Sequence, residues 1–174
     1  WHWFLKRCFD VSLSLLFLIF LFQIYLTTAI IVLLSSKGDI FFKQERIGLY
    51  GKKFNILKFR SMYENSESNG PQLSSDNDER ITPFGKIMRK IRLDELPQFF
   101  NVLIGEMSIV GPRPERQHYI NLITEKAPHY HHLHKVRPGI TSWGMVKYGY
   151  AENVDEMIER MKYDILYIEN ISFT

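Results

Sequence analysis

Asp94 and Glu95 stand side by side between a cationic run, Arg89-Lys90-Ile91-Arg92, and Leu96-Pro97-Gln98. Adjacent carboxylates beside arginine and lysine suit chemistry at phosphorus. An aspartate can attack phosphorus to give an acyl phosphate. The charge of a diphosphate in turn needs Arg, Lys or a divalent cation close by. If one helix ran through this stretch, Arg89 would lie about one turn before the carboxylates and on their face. The same residues also read as a capping or salt-bridging pair, and spacing alone leaves both readings open.

Two more arginines sit on stiff turns: Arg113 between Pro112 and Pro114, and Arg137 ahead of Pro138-Gly139-Ile140-Thr141. Proline fixes its own φ and restricts the residue before it. A guanidinium held that way suits phosphate recognition, although a turn with a surface salt bridge has the same pattern. Lys58 and Arg60 close the apolar segment Phe54-Asn55-Ile56-Leu57-Lys58-Phe59-Arg60. His129, His131, His132 and His134 are near neighbours, but their spacing sends them to different faces and no carboxylate or cysteine completes a ligand set. They read as polar surface residues. Asp76, Asp78 and Glu79 lack the glycine and terminal glutamate of a calcium loop and read as solvated loop.

These groups need elements to hold them. Val11 to Leu34 carries no charge, enough as a helix to cross ~30 Å of hydrocarbon. Lys6 and Arg7 precede the run, and Lys37, Lys43 and Arg46 follow it. Basic flanks prefer the cytoplasmic side, so a helix that dips in and returns keeps both flanks there, whereas a span does not. A bend of that kind usually has Pro or a polar side chain at its turn. The run offers Gln23, then Thr27 and Thr28. Ile40-Phe41-Phe42 and Phe54 to Phe59 predict a small hairpin through Gly48 and Gly51. Glu64 to Arg80 predicts a polar loop. Thr82-Pro83 predicts a helix start, with Phe84, Ile87, Met88 and Ile91 as its apolar face. A basic amphipathic helix like this can lie on a membrane or pack on a core. Leu96 to Leu103, Glu115 to Glu125 and Val154 to Ile168 predict further helices. Gly105 to Pro114 predicts a loop, and Val136 to Val146 turn and strand.

The 174 residues suit one domain with its own core. The chain begins at Trp1 rather than Met, as a segment of a longer protein would. A net charge of +3 does not fit a nucleic-acid binder. The local clusters at Lys52, Lys53, Lys58 and Arg60 and at Lys86, Arg89, Lys90 and Arg92 suit phosphates or anionic head groups, and equally a solvated basic face. Cys8 is the single cysteine, so no disulfide framework is implied.

Taken together, these blocks resemble the bacterial sugar transferase family, the monotopic polyprenol-phosphate phosphoglycosyl transferases. The resemblance rests on ordered segments along nearly the whole chain: Lys6-Arg7-Cys8-Phe9-Asp10, Phe41 to Gly48, Phe54 to Met62, Leu93 to Leu103, Gly105 to Pro114, and Arg137 to Thr141. It implies a mostly helical α+β fold: a re-entrant N-terminal membrane helix, interfacial amphipathic helices and a small antiparallel sheet. Residues 1–36 would form the membrane part and residues 37–174 a cytoplasmic catalytic domain. It implies transfer of a phospho-sugar from a UDP-sugar to undecaprenyl phosphate at the cytoplasmic face of the bacterial inner membrane, as a first step of glycan assembly. Asp94 would be the nucleophile, forming an aspartyl phospho-sugar with release of UMP, with magnesium near the same residue and Glu95 orienting groups beside it. Arg89 and Arg113 match positions that hold phosphate or nucleotide; Lys58, Arg60 and Arg137 match family blocks as well. A homodimer is compatible with the resemblance. The chain departs from the family at Phe22-Gln23, where a Ser-Pro pair is common at the bend. It departs again at Ser142-Trp143-Gly144-Met145, where Gly-Trp-Ala-Gln is usual. The competing readings are an inactive membrane scaffold and a lipid-linked phosphatase of the same fold.

Overall fold

The computed structural model describes residues 2–64, 66 and 78–171. The uncharged run forms a bent pair of helices rather than one helix. α1 (His2–Phe20) and α2 (Phe22–Ser35) meet at Leu21 and are inclined by 64°. No single described helix is long and apolar enough to cross a membrane, while the bent pair together has the length and composition to do so. The bend lies near the middle of the run, as expected, but neither proline nor Gln23 makes it. Backbone hydrogen bonds continue through it, Leu21 N–H to Phe17 O and Tyr25 N–H to Leu21 O, both 2.9 Å. What holds the angle is α4 (Gln98–Ile104). Phe99 packs on Phe17 of the first arm, at 5.0 Å between ring centroids. Phe100 meets Tyr25 of the second edge-on at 6.2 Å. The Tyr25 hydroxyl also donates to the Leu96 carbonyl.

β1 (Phe41–Ile47) and β2 (Lys53–Phe59) form the expected antiparallel hairpin, with Phe41 opposite Phe59 and Ile47 opposite Lys53. Alternation along β2 puts Phe54, Ile56 and Lys58 on one face. Phe54 and Ile56 are buried against Val102 and Met107. Lys58 therefore lays its alkyl stem along this packed face and delivers its ammonium beyond it. The free edge of β2 is satisfied by Asn101 on α4. Its side chain accepts from Leu57 N–H at 3.0 Å and donates to the Asn55 carbonyl at 2.8 Å.

α3 (Pro83–Lys90) starts as the sequence predicts, with the Thr82 hydroxyl accepting from Gly85 N–H at 2.9 Å. A Cβ on Gly85 would lie 2.0 Å from the Ser61 carbonyl, so only glycine lets α3 sit against the chain leaving β2. Its apolar residues divide: Met88 is buried, with Phe84 packed near it, whereas Ile87 and Ile91 are exposed. The helix does not continue through the carboxylates. It stops at Lys90, and Arg92 turns the chain at φ 59°, in the left-handed region. A helix running on would place Pro97 in its interior, where the ring meets the Leu93 carbonyl and no N–H is available. Asp94 and Glu95 instead occupy a single 3-10 turn, Leu93–Glu95.

The Gly/Pro-rich stretch contains β3 (Ser108–Val110), which pairs in parallel with β4 (Gly139–Thr141). This second, parallel pair is additional to the predicted antiparallel sheet. It depends on close backbone approach, since a Cβ on Gly139 would lie 2.1 Å from Gly111 N. α5 (Gln117–Lys126) and α7 (Val154–Glu169) match their predicted stretches. Residues 143–146, read as strand, belong to the short helix α6 (Trp143–Lys147), capped by the Ser142 hydroxyl. Tyr119, Ile120, Ile123, Tyr130, Leu133, Met157 and Met161 form the core between α5, α7 and the 3-10 segment Pro128–Lys135. His129, His131 and His132 in that segment are exposed. Most of the predicted polar loop, including Asp76, lies outside the described residues. Asp78 is not solvated: it is buried and accepts from Arg80 Nε at 2.8 Å and Nη2 at 2.6 Å.

Candidate active site

The turn bearing Asp94 and Glu95 forms part of the wall of a cavity of about 1230 Å³. Lys58, Arg89, Arg92, Arg113 and Tyr150 also line it. They come from β2, α3, the left-handed turn, the loop after β3 and the loop after α6, and local spacing could not have brought Lys58, Arg113 and Tyr150 to Asp94.

The two carboxylates are differently employed. Glu95 takes the cations: Lys58 Nζ at 2.8 Å, Arg92 Nη1 at 3.2 Å, and Arg113 Nη1 at 3.9 Å. Burial by itself would raise its pKa, but Lys58, Arg113 and Arg92 outweigh burial and bring it down to about 2. Glu95 is therefore a fixed anion. Asp94 is 6% exposed, and its Oδ1 is buried without a hydrogen-bond partner. Burial raises its pKa above the ordinary aspartate value and the neighbouring charge of Glu95 adds to this, while Lys58 and Arg89 oppose it. A buried acceptor left without a partner costs free energy. It is what a carboxylate kept for a ligand, a cation or an electrophile looks like.

The surrounding cations are held in place. Arg89 Nε donates to the Ser61 hydroxyl at 2.9 Å, an approach that Gly85 makes possible. The Arg92 and Arg113 guanidinium carbons lie 4.8 Å and 6.0 Å from the centroid of the Tyr150 ring. That stacking adds a weak electrostatic hold on both. Arg92 and Tyr150 are absent from the sequence-derived site. Arg92 could have been suspected from its adjacency to Asp94; Tyr150 had no local signal.

The remaining candidates are employed elsewhere. Arg60 borders the cavity, but its guanidinium donates to the carbonyls of Lys37 at 2.8 Å, Ser36 at 2.7 Å and Val32 at 3.3 Å. It closes the C-terminal end of α2. Arg60→Ala is expected to destabilise the protein by roughly 2–4 kcal/mol, because charge-assisted bonds to buried carbonyls are lost. Thermal unfolding would record this, with any substrate KM within about twofold of the parent. Arg137 lies outside the cavity and donates through Nε to the Gly105 carbonyl at 2.9 Å, beyond the end of α4. Arg7 closes the same helix end, on the carbonyls of Val102 and Leu103.

Among the described residues no cluster of three or more His, Cys, Asp or Glu side chains is arranged to hold a metal by itself. Asp94 Oδ1 is the buried carboxylate oxygen without a hydrogen-bond partner among the described residues. That fits a cation that keeps most of its ligands as water and substrate phosphate.

A family profile described as "Bacterial sugar transferase" matches residues 1–174. The "UDP-N-acetylgalactosamine-undecaprenyl-phosphate N-acetylgalactosaminephosphotransferase" of Aeromonas hydrophila is 43% identical over 169 residues, covering 97% of this chain and 40% of the relative. The "Uncharacterized sugar transferase EpsL" of Bacillus subtilis is 39% identical, covering 97% of this chain and 80% of the relative. The "UDP-glucose:undecaprenyl-phosphate glucose-1-phosphate transferase" of Klebsiella pneumoniae is 40% identical, covering 96% of this chain but 36% of the relative. The chain thus spans well under half the length of two of these relatives and most of the third.

Proposed function

Starting from a chain that belongs to the bacterial sugar transferase family, we propose that it transfers a phospho-sugar from a UDP-sugar to undecaprenyl phosphate. The observation that carries this reading is the division of labour between the carboxylates: Glu95 neutralises cations, while Asp94 keeps a free oxygen in the same cavity. Asp94 attacks the β-phosphorus of the donor. The Asp94 oxygen–phosphorus bond forms, the bond from the β-phosphorus to the bridging oxygen breaks, and UMP leaves. The phosphate of the lipid acceptor then attacks the same phosphorus, the product diphosphate forms, and the Asp94 carboxylate is restored. Two easier displacements replace one.

Arg89, Arg92, Arg113 and Lys58 supply the positive field in which a diphosphate binds and charge develops. Glu95 holds three of these cations apart from Asp94. Magnesium bound at Asp94 and the donor phosphates would neutralise the diphosphate and the departing UMP.

The acceptor is a lipid, and the outer surfaces suit a bilayer. Phe20 and Phe22 flank the bend of α1–α2 and are 76% and 64% exposed. Ile87 and Ile91 are exposed on α3, and Ile104 on α4. A re-entrant helix pair with amphipathic helices at head-group depth accounts for these faces together. On this reading the cavity opens at the cytoplasmic side of the inner membrane, where a soluble donor meets the lipid.

Intact-mass analysis of the full chain in lipid nanodiscs, mixed with magnesium and a panel of UDP-sugars, tests the proposal. A phospho-sugar adduct with UMP release, cleared by adding undecaprenyl phosphate, supports it and names the donor. UMP release without adduct or lipid product points to hydrolysis, and folded protein inert to every donor and acceptor to a scaffold. The pH profile is a second check. Asp94 must be ionised to attack, so the acid limb of kcat/KM should lie above the ordinary aspartate range, the direction in which burial moves it. A limb at or below that range would exclude this carboxylate as the titrating nucleophile.

A further inference from the structure

Residues four apart on a helix stand one above the other, so α3 presents four rows. Phe84 and Met88 form the first and lie in one apolar cluster with Tyr25, Ala29 and Val32 of α2. Gly85 and Arg89 form the second, both against Ser61. Lys86 and Lys90 form the third, and both line the cavity that Asp94 borders. Ile87 and, just past the helix end, Ile91 form the fourth; they are 59% and 62% exposed. Going round the helix, the lysine row stands between Arg89 and the isoleucine row.

The fold makes no use of these lysines. Both are exposed, and neither ammonium has a hydrogen-bond or ion-pair partner among the described residues. Like charges at this spacing weaken a helix slightly, and an anion seated between them removes the repulsion. The isoleucines stand beside α2, which carries no charged residue from Phe22 to Ser35. One ligand satisfies both rows at once: a phosphate with an apolar chain. A UDP-sugar is polar throughout and has nothing to lay on isoleucine. An ordinary phospholipid carries a single charge on a phosphodiester. A terminal phosphomonoester carries about −1.5 to −2 and offers three free oxygens. Lysine suits such a ligand, because a compact ammonium on a flexible stem can follow a phosphate that moves.

We propose that α3 is the entry path of the lipid acceptor. Lys86 and Lys90 take its terminal phosphate at the bilayer edge and pass it by Arg89 toward Asp94, while Ile87 and Ile91 carry the first isoprene units. This rests on reading the reaction as transfer to a polyprenol phosphate.

The two half-reactions separate donor from acceptor, and the test reads them apart in the full chain. Nanodiscs of phosphatidylcholine, which has no net charge, exclude attraction to bulk anionic lipid. In Lys86→Gln/Lys90→Gln, adduct formation from the UDP-sugar alone should stay within about threefold of wild type. Discharge of the adduct should need on the order of tenfold more undecaprenyl phosphate, with its maximal rate within about threefold. Lys86→Arg/Lys90→Arg should restore acceptor use, since the charge is kept. Ile87→Ser/Ile91→Ser should weaken undecaprenyl phosphate more than geranyl phosphate, whose chain is too short to follow the row. Adduct formation slowed as much as discharge would assign the lysines to the donor and overturn the proposal. So would unchanged discharge, or a defect seen only after phosphatidylglycerol is added. Should the wild-type chain form no adduct with any UDP-sugar, the donor reading fails separately. Native mass spectrometry of undecaprenyl phosphate binding in the same nanodiscs then decides: weaker binding in the glutamine variant supports the entry path, and equal binding overturns it.

Discussion

Asp94→Asn is expected to abolish the covalent adduct and to lower kcat for UMP release by at least about a thousandfold, with the fold intact. The substitution keeps the shape of the side chain and removes its nucleophilic oxygen, so only chemistry that passes through that oxygen is lost. Stability should be unchanged or slightly improved. The native carboxylate is buried with Oδ1 unpartnered, and burial moves its pKa up, so the ionised form is disfavoured by folding. A neutral amide lifts that cost. Donor binding should persist within a few-fold, because Lys58, Arg89, Arg92 and Arg113 remain. Intact mass, a UMP assay and thermal unfolding give the three readings. Residual turnover above one-hundredth of wild type, with the adduct still formed, would assign the nucleophile elsewhere.

Glu95→Gln is expected to act in the opposite manner, reducing stability while leaving covalent chemistry detectable. Its side chain is 9% exposed, and it neutralises Lys58, Arg92 and Arg113. Burial opposes its ionisation, yet those cations bring its pKa from 4.5 to about 2. The interaction therefore stabilises the folded state above the unfolded-state value, and the contribution is lost as pH falls from about 4.5 toward 2. Such a shift corresponds to roughly 3 kcal/mol. Part of it is offset by Lys58, whose burial lowers its own hold on a proton. A net loss of about 2–3 kcal/mol follows at neutral pH, roughly 5–10 °C in Tm. In the variant, the difference between stability at neutral pH and near pH 3 should shrink correspondingly. Released from Glu95, Lys58 is free to pair with Asp94 and quench it. The adduct should still form, at least about tenfold more slowly, and the acid limb of the rate should move down. A variant as stable as wild type at neutral pH would show that the cations do not depend on Glu95.

The two variants separate the roles of neighbouring residues that look equivalent in the sequence. Nothing in Leu93-Asp94-Glu95-Leu96 distinguishes the proposed nucleophile from the counter-ion. The distinction comes from which carboxylate the ammonium of Lys58 reaches, and that depends on strand β2 lying against α4.

Much was legible beforehand. The Thr82-Pro83 cap, the hairpin pattern around Gly48 and Gly51, and the periodicity of α7 are local signals, since they depend on backbone geometry and on hydrogen bonds within a few residues. The ordered blocks also placed the chain in its family. Local signals left open whether a helix continues from Arg89 through Glu95; the left-handed turn at Arg92 and the 3-10 turn after it end that possibility. Those signals missed α6 and the parallel β3–β4 pair, which depends on two glycines meeting from distant parts of the chain.

The site divides along the same line. Residue types and their order determined that this chain carries a cation-flanked carboxylate pair, proline-held arginines and an uncharged run long enough for a membrane. Only the tertiary structure decided that the run bends at Leu21, because the aromatic residues of α4, not a proline within the run, hold the angle. Only it separated Arg60 and Arg137, whose guanidinium groups are spent on backbone carbonyls at helix ends, from Lys58, Arg89, Arg92 and Arg113, whose charges act on Asp94 and Glu95. The reason is physical: a guanidinium's role is set by the nearest acceptor it can reach, and those acceptors come from elements far away in the chain.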